Sequence, residues 1–80
     1  MIIAILAVVT DMTADERMVA FGKRVREVRK SKGISQERLA EMAVIDRSYM
    51  GNIERGEKNV TLKKAYEICD ALDVKMQDLI

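Results

Sequence analysis

Arg47 and Ser48 stand three to five positions from Gly51 and Asn52, the spacing that puts residues on one face of a helix. Their types suit the reading of a nucleic acid. An arginine guanidinium offers paired donors that match guanine O6 and N7. An asparagine amide offers a donor and an acceptor that match adenine N7 and N6. Glycine inside a helix costs about 1 kcal/mol relative to alanine. Gly51 therefore points to close approach on this face, or to a packing need. Catalytic chemistry is much less accessible to this chain. It has no histidine, a single cysteine, Cys69, and no glycine-rich phosphate loop. No disulfide within the chain, no zinc cluster and no catalytic constellation can be assembled from these residues. We expect no enzyme activity, no metal, no cofactor and no small-molecule substrate. Eighty residues also leave no room for a separate sensor domain.

The elements that must position this face are two short helices. Ser35 and Asp46 are N-cap residues, each ahead of a run with apolar residues at helical spacing. Leu39, Ala40, Met42 and Ala43 follow the first, and Met50 and Ile53 follow the second. Only a few turn residues, around Ala43-Val44-Ile45, separate them. Ser35 to Gly56 therefore reads as a helix-turn-helix, whose second helix can enter a DNA major groove.

This stretch resembles the Cro and phage-repressor family of helix-turn-helix regulators, also called the xenobiotic-response-element family. The residues that carry the resemblance are Ser35-Gln36, Leu39-Ala40, Ile45, Ser48-Tyr49 and Ile53-Glu54-Arg55-Gly56. Asp46-Arg47-Ser48-Tyr49 and Asn59-Val60-Thr61-Leu62 are similar to the controller proteins of restriction–modification systems. The match covers about Phe21 to Ile80. It implies an all-α, five-helix, lambda-repressor-like domain. The implied function is sequence-specific transcriptional regulation by a homodimer on a two-fold operator in double-stranded DNA.

Carried over by position, the resemblance places Gln36, Arg47, Ser48, Tyr49 and Asn52 around the groove. Gln36 opens its helix, where a side-chain amide and the helix N-terminus can meet phosphate. Arg55, Lys58 and Asn59 follow the recognition helix and are phosphate candidates. The resemblance also pairs Arg29 with Glu54. The chain departs from the family pattern at several positions. Val44 replaces a turn glycine, at a cost of roughly 1–2 kcal/mol if that position is left-handed. Arg38 replaces the glutamate of a capping box, Asp73 a glycine, Val60 a proline, and Lys75 a serine cap.

Thr13 and Glu16 have capping-box spacing, and the helix after them is expected to run to about Ser31. Met18, Phe21, Val25 and Val28 form its apolar stripe, and Gly33 suits its end. Thr61 caps a further helix, with Leu62, Ala65, Ile68, Cys69 and Leu72 expected inward. Val74, Met76 and Leu79 suggest a short fifth helix. Residues 13–80 thus form one helix-turn-helix domain, preceded by an apolar extension over residues 1–12. Its Met1 to Val9 run is too short to span a bilayer and has no basic segment ahead of it. Its β-branched residues favour a strand that packs on a second subunit. The competing reading is an extension ahead of Met12.

Net charge is only +1. Basic residues cluster, however, at Lys23, Arg24, Arg26, Arg29, Lys30 and Lys32, which reads as a phosphate-facing region or a solvated helix face. Cysteine usage fits a reducing cytoplasm. The alternative function is a protein-interaction module, such as an antitoxin or complex subunit, that keeps this fold. A steep salt dependence of binding to duplex DNA separates the two.

Overall fold

The computed structural model describes residues 12–80. These residues contain four α-helices: α1 (Ala14–Ser31), α2 (Gln36–Ala43), α3 (Arg47–Glu54) and α4 (Leu62–Leu72). A single 3₁₀ turn, Met76–Asp78, closes the fold. The expected fifth helix is therefore one 3₁₀ turn. Its start lacks a side-chain acceptor at Lys75, and the Asp78 carboxylate instead accepts the Lys75 N–H at 2.9 Å. The turn is tied to α1 by Arg24, whose Nε donates to the Asp78 carbonyl at 2.8 Å. One such turn suffices to bring Leu79 inward, where it is fully buried. The strand expected in the N-terminal extension lies outside the described residues.

Each α-helix begins on a polar cap that accepts an otherwise unpaired N–H. Thr13 and Glu16 form the reciprocal capping box, with both bonds at 3.1 Å. Hydrogen bonding from the Thr13 backbone N–H, and then from its hydroxyl, holds the Glu16 carboxyl below its ordinary value. Ser35 Oγ accepts the Arg38 N–H at 3.0 Å. Asp46 Oδ2 accepts from Ser48 and Tyr49 at 3.0 and 3.3 Å. Thr61 Oγ1 accepts from Lys64 at 3.1 Å. The helix ends are left-handed turns at Gly33, Val44, Gly56 and Asp73. Val44 adopts φ 54°, so the turn keeps the geometry that glycine usually serves despite its β-branched side chain.

The core is aliphatic, with one aromatic ring at Phe21. Val25 of α1, Leu39 of α2, Met50 of α3, and Ile68 and Leu72 of α4 are fully buried together. α2 packs chiefly against α4, and α1 against α3. Gly22 makes the α1–α3 approach possible. A Cβ there would run into the Ile53 carbonyl oxygen and lie 2.9 Å from that of Glu54. Leu62, expected inward, and Met42, which falls at helical spacing, both lie outside the core. Leu62, the first residue of α4, faces outward and is 68% exposed, and Met42 is 39% exposed. Helical spacing marked both, but each lies at the edge of its buried stripe, where no second element among the described residues covers it.

Candidate nucleic-acid interface

α3 is fixed at its far end before it presents anything to solvent. Glu54, its last residue, is buried and receives two bonds from Arg29 of α1, Nε to Oε2 at 2.8 Å and Nη2 to Oε1 at 3.0 Å. Arg29 Nη1 also donates to the Ile34 carbonyl at 2.9 Å. Gln36 Nε2 donates to Glu54 Oε1 at 3.2 Å, which ties the start of α2 to the same carboxylate. One buried carboxylate thus sets α1, α2 and α3 relative to one another. The Arg29–Glu54 pairing implied by the resemblance is present, and it is a core feature. Arg29 therefore leaves the basic face on which its neighbours in sequence lie.

The outer face of α3 carries Arg47, Ser48, Gly51 and Asn52. With Gln36 and Arg55 they line a shallow polar concavity of ≈ 320 Å³. Gly51 forms its floor. A Cβ there would lie 3.1 Å from Arg55 Nη1 and 3.5 Å from Gln36 Oε1, so any larger residue would press on the end of the Arg55 side chain. Arg47 and Ser48 are exposed at the N-terminal end of the helix. Arg47 forms no ion pair among the described residues, so its paired donors point out unused.

Beyond the helix the remaining candidates divide. Arg55 is held by two neighbours, with Nε donating to Glu57 Oε1 at 2.9 Å and Nη2 to Asn52 Oδ1 at 2.7 Å. Lys58 and Asn59 are exposed in the following loop. Tyr49 is half-buried, and its hydroxyl donates to the Asn59 carbonyl at 2.7 Å. That bond fastens the loop to α3 and so places Lys58 beside the recognition helix. Two roles escaped sequence reasoning: Glu57 against Arg55, and the Tyr49 bond to the loop backbone. Neither leaves a periodic signal, because both depend on how the chain turns at Gly56.

A short solvent-facing helix, set by a buried ion pair and carrying free donors over a glycine floor, defines a helix-turn-helix DNA-binding protein. The comparisons with known proteins agree. Residues 25–79 match the model of the family described as Helix-turn-helix, HTH_3. The chain is 43% identical over 70 residues to control protein C.BamHI of Bacillus amyloliquefaciens, covering 86% of this chain and 85% of that protein. It is 38% identical over 58 residues to control protein C.SmaI of Serratia marcescens, covering 72% and 69%. The crystal structure of the restriction-modification controller protein C.AhdI from Aeromonas hydrophila superposes with a TM-score of 0.77 at 46% identity, covering 79% of this chain and 96% of that one. The biofilm regulator SinR, solved in complex with DNA, superposes with a TM-score of 0.70 at 35% identity over 74% and 95% of the two chains.

This chain belongs to the Helix-turn-helix family. It is a DNA-binding transcriptional regulator of the controller-protein type. Among the described residues no helix is long and apolar enough to cross a membrane.

Proposed function

We propose that this regulator acts in the cytoplasm as a homodimer on a two-fold DNA operator, with the domain over residues 13–80 as its DNA-binding unit and α3 of each copy in the major groove. The observation that carries the reading is the polar concavity on the outer face of α3, lined by Gln36, Arg47, Ser48, Asn52 and Arg55. Arg47 and Ser48 reach base edges from the start of the helix, and Asn52 reads from its middle. Gln36 and the N-terminus of α2 meet phosphate, as do Arg55, Lys58 and Asn59. Tyr49 supports them by holding the loop.

Pairing of two copies is supported by exposed apolar side chains away from this face. Leu62, Tyr66 and Ile80 are 68%, 52% and 83% exposed. The C-terminal turn and the apolar extension are the segments proposed to join copies. Half-site centres then lie about 10–10.5 base pairs apart.

The test is a salt titration of wild type, Arg47→Ala and Lys58→Ala on a selected operator and on scrambled duplex. Arg47→Ala is expected to cost about 1–3 kcal/mol on the operator and to relax preference at one base pair. Lys58→Ala is expected to weaken both duplexes equally and to flatten the log–log salt slope by about 0.9. Equal loss on both duplexes for Arg47→Ala would remove it from base reading. A monomer, free and on DNA, in sedimentation would refute the dimer.

A further inference from the structure

We infer that Glu57 is a positioning residue for Asn52, acting through Arg55, and that it makes Asn52 turn its amide nitrogen, not its oxygen, toward the base edge it reads. The inference rests on the proposal that α3 faces the major groove. Asn52, Arg55 and Glu57 form a closed ring. The Glu57 N–H donates to the Asn52 backbone carbonyl at 2.9 Å, which folds the loop back over the last turn of α3. The Glu57 carboxylate then receives Arg55 Nε at 2.9 Å, and Arg55 Nη2 reaches Asn52 Oδ1 at 2.7 Å.

The orientation of the Asn52 amide follows from chemistry. A guanidinium has donors only, so the atom facing it must be the oxygen. The amide nitrogen is then the branch not bonded to Arg55, and Asn52 lines the concavity together with Arg47, Ser48 and Arg55 itself. Two donors on nitrogen suit acceptor atoms of a base edge, such as guanine N7 and O6 or thymine O4. Arg55 holds this arrangement only while its own fork is oriented, and Glu57 supplies that second point of attachment. The Arg55 and Glu57 side chains are 57% and 56% exposed. An ion pair so exposed contributes little to stability, so its effect falls on orientation rather than folding.

The experiment compares base-preference profiles of wild type, Asn52→Ala, Asn52→Asp, Glu57→Ala and Arg55→Lys. The probe is a duplex selected by the wild type from a random pool, with each base pair then varied in turn. Asn52→Ala marks the base pair that Asn52 reads. At that pair, Glu57→Ala is expected to reduce preference by up to about fivefold, the most that an exposed ion pair supplies. Its affinity for every duplex is expected to rise, because a carboxylate leaves the DNA side. Arg55→Lys keeps the charge but not the fork, and is expected to lose the same preference without that rise. Asn52→Asp replaces the outward donor by an acceptor and is expected to lose the wild-type preference. An unchanged profile in Glu57→Ala, with affinity raised uniformly, would overturn the positioning role while leaving base reading by α3 intact. Retention of the wild-type base by Asn52→Asp would show that the oxygen reads, and would overturn the orientation. Equal binding of selected and scrambled duplexes by the wild type would overturn the interface itself.

Discussion

Replacing Arg29 with alanine tests how this fold holds its recognition helix. Arg29 is 8% exposed, and its guanidinium makes three hydrogen bonds, two to Glu54 and one to the Ile34 carbonyl. Its removal leaves the Glu54 carboxylate buried, with only the Gln36 amide at 3.2 Å. Breaking a buried pair by deleting one partner costs about 3–5 kcal/mol, against about 0–1 kcal/mol for a surface pair. A domain of this size shifts its Tm by about 4–8 °C per kcal/mol. The expected fall is therefore roughly 12–40 °C, and the loss of about 3–5 kcal/mol is a large part of the about 5–15 kcal/mol that holds most domains folded. Urea melts give the free energy, and calorimetry gives the Tm. The double replacement Arg29→Met with Glu54→Leu removes both charges and should be less damaged than Arg29→Ala, because no orphan carboxylate remains. A loss below about 1 kcal/mol for Arg29→Ala would refute the reasoning, since the pair would then behave as two solvated charges.

Val44→Gly should stabilise the domain by about 0.5–1 kcal/mol in urea melts, because the left-handed strain of roughly 1–2 kcal/mol exceeds the added entropy of an unfolded glycine. Val44 is 77% exposed, so little burial is lost with its side chain. Gly51→Ala should separate stability from binding: helix propensity adds up to about 1 kcal/mol, while the new methyl crowds Arg55 and Gln36 and weakens operator binding in a gel-shift titration. Cys69 is buried, and burial together with the nearby Asp70 and Asp78 carboxylates pushes its thiol up from the ordinary value of 9.0. The neutral thiol therefore favours the folded state below that value, and the contribution is lost as pH rises above it. Modification by a thiol reagent at pH 8 should track unfolding by urea rather than precede it.

Local signals in the chain located the four helix starts well, because a cap acts within three residues. Thr13, Ser35, Asp46 and Thr61 each accept an N–H from their own first turn, so side-chain chemistry alone marks the position. The helix-turn-helix and its outward residues were legible for the same reason. Spacing of three and four along α3 separates Met50 and Ile53 from Arg47, Ser48 and Asn52, whatever the rest of the chain does. Leu62 shows the limit. Periodicity marked it as apolar on α4, but whether another element covers it is decided by packing, and none among the described residues does. Arg29 shows the same limit for charge. Its neighbours in sequence are basic and exposed, and only the approach of α3 to α1 across Gly22 makes it a buried partner of Glu54. Tyr49 reaching Asn59, and Glu57 turning back on Arg55, likewise follow from the path of the chain after Gly56. Caps and helical faces are short-range, so the sequence by itself determined them. Burial, ion pairing and the shape of the concavity join residues far apart in the chain, so only the tertiary structure decided them.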